Sequence, residues 1–401
     1  MSSMLSKTWS YLHQVTLDPA PGWSVPTKEQ RHHLPSGLSS WLHQVTSCLD
    51  KEEEKALVTR QLDLIVSKLS QKSVSPGVSS DCLVRLVYIH LLGYDTSASF
   101  IHCVKMAGAG SLLSRKMGYL ACGVIIPASH DLLVLVTNTI IRDISSTNLV
   151  DIQLGLTAAA NLVTKHLIQL VPVLVDKIVP LVRHSCHLVR KKSVILLDYL
   201  CDLDTCQWPR VVSGTIITCL TDSNPGVVIS AVQTLSKHMT ISDDVTNIKM
   251  VVTAALELHN TMTDDNMLPA DYRYRDHLVP HLQVYCTRLY RHVSDVIIQD
   301  TCLSDGVVSV LQSSLNIYTG CKDLIIQALV YETIITVATI STASCLIPAS
   351  LRAVGIFLNS KHHSTVYSGL CALDTIFKHH TISLTSDQQS AVLKCLGRGQ
   401  S

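Results

Sequence analysis

A short repeat is the feature that most constrains this chain of 401 residues. Four apolar helical segments between residues 111 and 235 each carry one small residue at the same position, namely Gly118, Gly155, Ser193 and Ala231. Their spacings are 37, 38 and 38 residues. Arrays of paired helices, of the HEAT and armadillo kind, repeat at close to this length. The sequence therefore predicts an all-α fold, an α-solenoid of HEAT/armadillo-like helical pairs, in which the small residue lets the second helix of a pair sit close to its neighbour.

Helix-start signals support this prediction. Asp50 precedes an acidic first turn, as an N-cap residue does, and apolar residues follow at helical spacing as far as Leu69. Asn148 and Asn224 precede two of the repeated helices, and Pro225 stands at the first helical position, where proline is tolerated. The helices of the array are thus expected to begin at these caps.

The rest of the chain divides into a tail and an array. Four prolines without sustained periodicity predict a mobile N-terminal tail over residues 1–36. Residues 37–401 are predicted to form the solenoid, interrupted by a loop over 71–80 and by a less regular segment over 242–275. That segment is predicted to contain one helix, 248–258, followed by an exposed polar loop. A solenoid normally ends in a polar capping repeat. Residues 397–401 supply none, so the array is expected to be truncated.

Composition excludes some partners and suggests a compartment. Charged residues are only 16% of the chain, with 32 basic against 31 acidic, so no overall attraction to nucleic acid or to an acidic membrane is expected. The 14 cysteines include no C-x-x-C spacing, and most lie in apolar stretches, where a free thiol acts as a small hydrophobe. This pattern predicts a reducing, cytosolic compartment.

One uncharged run is long enough for a membrane span. Thr333–Leu351 has 19 residues without a charge. It is rich in serine and threonine, and Pro348 would break a helix there. A buried solenoid helix followed by a turn is the favoured interpretation.

Motifs for catalysis, metal binding and phosphate binding are missing from the sequence. Adjacent histidines at 32–33, 362–363 and 379–380 point to different faces of a helix, and the donor cluster His184–His187 falls at a turn between helices. No G-x-S-x-G, H-E-x-x-H, C-x-x-C or glycine-rich phosphate loop occurs. The sequence therefore predicts no enzyme, no cofactor and no metal site.

Two basic segments occupy equivalent positions in the repeat, Arg190–Lys192 and Arg115–Lys116. Basic residues in a first helical turn oppose the helix dipole unless acidic groups offset them. A structural ladder, in which they pair with acidic residues of the neighbouring repeat, is favoured over a ligand site.

Five ordered strings resemble the trunk of the large adaptins, the big subunits of heterotetrameric adaptor-protein coats. They are LLGYD, RKMGYL, HDLLVLVTNT, STNL and VRKKSV, at Leu91–Asp95, Arg115–Leu120, His130–Thr139, Ser146–Leu149 and Val189–Val194. The resemblance runs from about Leu38 to Thr301 and weakens afterwards. EEEK at 52–55 and VRLVY at 84–88 resemble most the epsilon subunit of the fourth adaptor complex, with the gamma and alpha types as alternatives.

The resemblance implies a role in intracellular, vesicle-mediated protein transport. It implies a cytosolic coat component, peripheral on trans-Golgi network or endosomal membranes, that helps to sort cargo into vesicles. The implied partners are a beta-type large adaptin, a medium mu chain, a small sigma chain and an Arf-family GTPase. For the epsilon type, clathrin is not expected.

The chain departs from the family in two respects. The alpha type carries a lysine-rich phosphoinositide patch before the Leu-Leu-Gly helix, whereas here only Arg85 remains as an anionic-lipid candidate. One basic residue near a membrane surface contributes about 1 kcal/mol, so recruitment by protein partners is favoured. The hinge and the ear domain of the family have no counterpart in this sequence.

Other classes of function stay open at this point. One is a HEAT-repeat interaction scaffold outside vesicle traffic, such as an importin-like carrier or a phosphatase scaffold. Another is an enzyme with an unrecognised site, which would need clustered titratable groups in a pocket. A third is that this divergent chain is a non-functional remnant or an alternative product.

Overall fold

The computed structural model describes residues 38–71, 73–162, 171–203, 210–239, 244–262, 273–274, 277–386, 389–390 and 392–393. The tail predicted over residues 1–36 and the C-terminal residues 397–401 lie outside this range. Within it, the chain is helical apart from one pair of two-residue strands, so the predicted all-α class is confirmed. The chain divides into two compact units, the first ending at Val136 and the second beginning at Thr137.

Five helices belong to the first unit. They are α1 (Leu38–Thr46), α2 (Lys51–Leu69), α3 (Pro76–Leu91), α4 (Phe100–Ala107) and α5 (Leu112–Ile125). The predicted cap at Asp50 is confirmed, because its carboxylate accepts the N–H of Glu53 at 2.8 Å. The second helix, α2, therefore begins where the sequence places it.

The start of α3 corrects the predicted loop over residues 71–80. Ser75 is the N-cap, and its hydroxyl accepts the N–H of Val78 at 3.4 Å. Pro76 occupies the first turn, where its missing N–H removes no helical hydrogen bond. The helix ends just before Gly93, whose φ of +93° favours glycine.

Thirteen further helices follow in the described part of the chain. They are α6 (Leu132–Ile144), α7 (Leu149–Leu162), α8 (Val171–Ile178), α9 (His187–Leu203), α10 (Arg210–Ile217), α11 (Pro225–His238), α12 (Val245–Thr261), α13 (Pro280–His292), α14 (Ser294–Gln299), α15 (Thr301–Tyr318), α16 (Leu324–Thr339), α17 (Ile347–Leu358) and α18 (His363–His379). In the second unit, α7, α9, α11, α13, α16 and α18 pack each against the next. We call these six the stacked helices. They correspond to the second helices of successive helix pairs.

The small residues of the repeat stand at close helix contacts, as predicted. A Cβ added to Gly118 on α5 would lie 2.2 Å from the backbone nitrogen of Ala107 on α4. A Cβ on Gly155 would lie 3.0 Å from the backbone nitrogen of Ile144. Ser193 and Ala231 are fully buried in α9 and α11. The repeat spacing therefore reports the positions where neighbouring helices approach one another.

The regular spacing is lost after α11. The helix expected over 248–258 is confirmed and extends to Val245–Thr261 as α12. Most of the predicted polar loop, namely 263–272 and 275, lies outside the described residues. Its described part includes strand β1 (Arg273–Tyr274), which pairs antiparallel with β2 (His277–Leu278).

The uncharged run Thr333–Leu351 is not one helix. Helix α16 ends at Thr339, and a 3₁₀ segment, Ser341–Leu346, leads into α17. Pro348 lies in the first turn of α17, where it does not break a helix. By length and composition alone, Ser341–Leu358 is apolar enough to cross a membrane, but 44% of it is buried within the protein. Its α17 part packs against α16 and α18, as the core helix of a repeat does.

Candidate interaction surfaces

The basic segment of α9 pairs with the neighbouring repeat. Arg190 donates from Nε to Oδ2 of Asp222 at 2.6 Å and from Nη2 to Oδ1 at 2.8 Å, a two-pronged arrangement. Its Nη1 donates to the carbonyl oxygens of His184 and Ser185, both at 2.9 Å. Arg190 therefore joins the start of α9 to the turn before α11, and the predicted structural ladder is confirmed at this position.

The charges of this pair stabilise each other. The hydrogen bond to Asp222 raises the pKa of Arg190. Burial alone would raise the pKa of Asp222, but the bonds from Arg190 and from the N–H of Asn224 hold it below its usual value. At the equivalent position in the first unit, Arg115 is buried in α5. These side chains serve packing between helices and leave no open anion site at Arg190.

A second ion-pair cluster joins α13 to α16. Glu332 is 8% exposed and accepts from two arginines. Arg288 donates to its Oε1 at 2.9 Å from Nε and at 2.6 Å from Nη2, and Arg291 donates to its Oε2 at 3.0 Å. These partners lie 41 and 44 residues apart in sequence. Ion pairs therefore link successive repeats at Arg190 and again at Glu332.

The histidine-rich segment His184–His187 has a local role. It lies at the turn before α9, as the sequence predicts. The ring Nδ1 of His184 accepts the N–H of Cys186 at 3.0 Å, and its carbonyl accepts from Arg190. These contacts shape the turn and engage His184 locally, while His187 at the start of α9 is exposed.

The buried cysteines have no character of nucleophiles. Burial raises the pKa of Cys103 and Cys286 to about 12 and that of Cys219 to about 11. A thiol with such a pKa stays protonated near neutral pH, and the thiolate is the reactive form. The cysteines within the described ranges are free of disulfides, in agreement with the small-hydrophobe interpretation.

A shallow depression on α2 does not form an enclosed pocket. It is lined by Glu52, Lys55, Ala56, Thr59, Arg60 and Asp63, all from one helix. Binding sites for small molecules are concave and mostly apolar, and they enclose most of the ligand. A single charged helix face does not meet these conditions.

Arg85, the anionic-lipid candidate, is engaged within the chain. Its side chain is 11% exposed, and its Nε donates to Oδ2 of Asp81 at 3.0 Å. Its guanidinium carbon also lies 5.7 Å from the ring centre of Trp41. A lipid contact would require Arg85 to leave both groups. Binding of an anionic headgroup here stays a prediction.

Two of the strings that carry the resemblance meet in the structure. The hydroxyl of Tyr94, from LLGYD, donates to Oε1 of Glu54, from EEEK, at 2.8 Å. This bond raises the pKa of Tyr94 to about 12 and lowers that of Glu54. The contact ties the loop after α3 to the start of α2, 40 residues earlier.

Large apolar side chains exposed on both units are the features with which another protein chain could pack. In the first unit, two adjacent leucines at the start of α5 are 43% and 47% exposed. In the second unit, Tyr367 is 69% and Phe377 is 45% exposed on α18. The sequence pattern does not indicate these positions, because helical periodicity does not separate residues that face the core from apolar residues beside them. The exposed set includes Leu112, Leu113, Val134, Leu135, Ile195, Ile317, Leu324, Ile356, Tyr367 and Phe377.

Comparison with known proteins supplies a context for these surfaces. Residues 54–397 match the family described as the adaptin N terminal region. The chain is similar to AP-4 complex subunit epsilon-1 of Homo sapiens, at 27% identity over 99% of this chain and 34% of that protein. It is also similar to AP-4 complex subunit epsilon of Arabidopsis thaliana, at 28% over 86% of this chain and 36% of that one.

A gamma chain is similar to a lesser degree. AP-1 complex subunit gamma of Dictyostelium discoideum is 23% identical over 90% of this chain and 39% of its own length. The expected resemblance to large adaptins, with epsilon ahead of gamma, is thereby confirmed. This chain spans about a third of the length of the epsilon relatives.

Proposed function

This chain belongs to the adaptin N-terminal family, and from that we propose that it acts as the trunk of a large adaptor-complex subunit. In this role it is a scaffold in a heterotetrameric vesicle coat for intracellular protein transport. The observation that carries the proposal is the family match, which extends over residues 54–397 and so includes nearly all the described helices. The mechanism is recognition by helical faces, without catalysis.

The packing of the stacked helices suits a scaffold. Ion pairs such as Arg190–Asp222 and Arg288–Glu332 fix one helix on the next within the second unit. Apolar side chains such as Leu112 and Tyr367 remain exposed outside these contacts. Aromatic side chains such as that of Tyr367 are enriched among the residues that dominate the binding energy of protein interfaces, and apolar side chains form the buried centre of such interfaces. The ladder therefore provides rigidity, and the exposed apolar positions provide the contacts.

The partners follow from the family and from the epsilon resemblance. We assign a beta-type large adaptin, a medium mu chain and a small sigma chain as subunit partners, and an Arf-family GTPase as the recruiting protein. The site of action is the cytosolic face of trans-Golgi network or endosomal membranes. Arg85 is paired within the chain, which supports recruitment by proteins over recruitment by anionic lipid.

Affinity capture of the tagged chain from cytosol, read by mass spectrometry, tests the proposal. We expect sigma, mu and beta adaptor chains, and the sigma isoform would name the complex. Capture of nuclear-transport cargo or of phosphatase subunits instead would favour a scaffold outside vesicle traffic. If a folded, helical chain recovers no adaptor subunits, the proposal is wrong.

Two surface variants locate the contact. Leu112→Glu with Leu113→Glu places acidic residues in the first turn of α5, where they favour the helix dipole and preserve folding. Ile356→Glu with Tyr367→Glu changes exposed positions of α17 and α18. If only one of the two variants fails to capture the sigma chain, the surface changed in that variant is the one that binds the sigma chain. Circular dichroism of both variants provides the folding control.

A further inference from the structure

A cluster of three metal-ligating side chains lies between two stacked helices of the second unit. Asp198 and Asp202 are four residues apart on α9, so they share one face of that helix. His238 is the last residue of α11. One ligand atom from each of the three lies within 4.8 Å of the other two. None of these residues stands out in the sequence, because the histidine is 40 positions from Asp198.

The distances suit a small divalent cation. The Nε2 of His238 lies 2.7 Å from Oδ1 of Asp198 and 3.7 Å from Oδ1 of Asp202. In a tetrahedral zinc site with metal–ligand bonds of about 2.0–2.1 Å, neighbouring ligand atoms are about 3.3 Å apart. The 3.7 Å separation is close to this value, whereas the 2.7 Å separation is a hydrogen bond between His238 and Asp198 that a bound ion would replace. One imidazole and two carboxylates would leave a fourth position for water.

The Lys237 ammonium now provides the positive charge beside the two carboxylates. Its ammonium contacts Oδ2 of Asp202 and lies 3.5 Å from Oδ1 of Asp198. Its side chain is 45% exposed and flexible, so it can swing into solvent, whereas His238 is 13% exposed and held at the cluster. Two carboxylates with one ammonium leave one net negative charge. A divalent ion would neutralise both carboxylates and would also coordinate the imidazole nitrogen, which is now hydrogen-bonded to Asp198.

We propose that Asp198, Asp202 and His238 form a binding site for a zinc-type divalent cation that joins α9 to α11 in place of the Lys237 ammonium. The ligands come from two successive stacked helices, so the bound ion links two repeats. Any ion that binds the folded chain and not the unfolded one stabilises it. The proposal rests on this geometry and does not depend on the adaptor function.

Calorimetric titration of the intact chain with zinc chloride tests the site, and cobalt absorption reports the geometry. We expect His238→Ala and Asp198→Asn to bind one zinc ion fewer per chain than the wild-type chain, or to bind it with an affinity at least about tenfold lower. The tetrahedral cobalt band should disappear in both. His187→Ala, in the other histidine cluster, is the matched control and should leave binding unchanged.

Lys237→Met separates a metal site from a simple ion-pair cluster. Removing the competing ammonium should tighten zinc binding severalfold, and zinc should then raise the melting temperature more than in the wild-type chain. Circular dichroism confirms folding of each variant. Zinc binding that is equally strong in His238→Ala, or unchanged or weaker in Lys237→Met, would overturn the proposal. The bound zinc would then belong to other surface histidines.

Discussion

The helix pairs α4–α5 and α6–α7 differ from the later segment α12–α16 in how the helices make contact. In the early pairs, the contact depends on a missing side chain: Gly118 lies directly against the backbone of α4, and Gly155 against that of α6. In the later segment, polar side chains fill the same kind of space. Thr336 of α16 is fully buried and donates to the carbonyl of Thr287 on α13 at 3.2 Å.

This difference shows two ways to solve one packing problem. A glycine permits close approach but makes no bond, so any added atom is resisted by rigid backbone. A buried polar side chain needs a partner, because an unpaired polar group in a core is costly. The early pairs should therefore be sensitive to side-chain size, and the later segment to charge and pH.

Gly118→Ala should be the most damaging change. Its Cβ would lie 2.2 Å from the nitrogen of Ala107, so α4 and α5 must separate. We expect a loss of about 3 kcal/mol or more in the free energy of unfolding, at the upper end for overpacking. Chemical denaturation measures it. Gly355→Ala in α17 is the control, because nothing lies within 4 Å of the added Cβ there. That variant should gain up to about 1 kcal/mol from helix propensity.

A small effect of Gly118→Ala, similar to that of Gly355→Ala, would show that α4 and α5 can shift freely. The contrast between size-sensitive and charge-sensitive regions would then fail.

His259 should make stability depend on pH. The ring is fully buried on α12, stacks on Tyr290 with centroids 6.2 Å apart, and burial lowers its pKa to about 4. Because this lies below the ordinary value near 6.5, protonation favours the unfolded chain. Its contribution is complete above pH 6.5 and is lost as the pH falls towards 4. We expect this histidine to lower the free energy of unfolding by roughly 2 kcal/mol at pH 5 relative to pH 8.

The measurement is unfolding free energy against pH, compared between the wild-type chain and His259→Gln. In His259→Gln, the unfolding free energy should fall less between pH 8 and pH 5 than in the wild-type chain. The control His379→Gln, which changes an exposed histidine on α18, should show the wild-type pH dependence. Identical pH profiles for the wild-type chain and His259→Gln would contradict the buried neutral state of the ring.

Glu332→Gln should have the smallest of the three effects. It leaves Arg288 and Arg291 close together without a counter-charge. Loss of a buried ion-pair partner is strongly destabilising, but these arginines are 46% and 28% exposed, so solvent screens them. We expect a loss of about 1 kcal/mol, decreased further by the addition of salt. Asp374→Asn, in the exposed pair with Lys378, should cause no measurable change.

The dependence of stability on salt is the decisive measurement for the Glu332 cluster. If added salt destabilises Glu332→Gln, or if Asp374→Asn lowers stability by the same amount, the α13–α16 contact does not depend on charge more than an exposed ion pair does.

Much of the fold could be predicted because its signals are local or periodic. The 37–38 residue spacing of Gly118, Gly155, Ser193 and Ala231 marks close contacts between helices, and these are found. Caps such as Asp50 satisfy N–H groups a few residues away, so short sequence windows contain the whole interaction. The error at Pro76 has the same origin, since proline marks both loops and helix starts.

The amino-acid sequence by itself determined the helical class, the repeat and the membership in the adaptin family. Only the tertiary structure decided which side chains meet across repeats: Arg190 with Asp222 at 32 positions, His238 with Asp198 at 40, and Arg288 with Glu332 at 44. These separations vary around the repeat length because each depends on the register in which one helix stacks on the next. That register is set by many small packing contacts at once, and no local pattern encodes it.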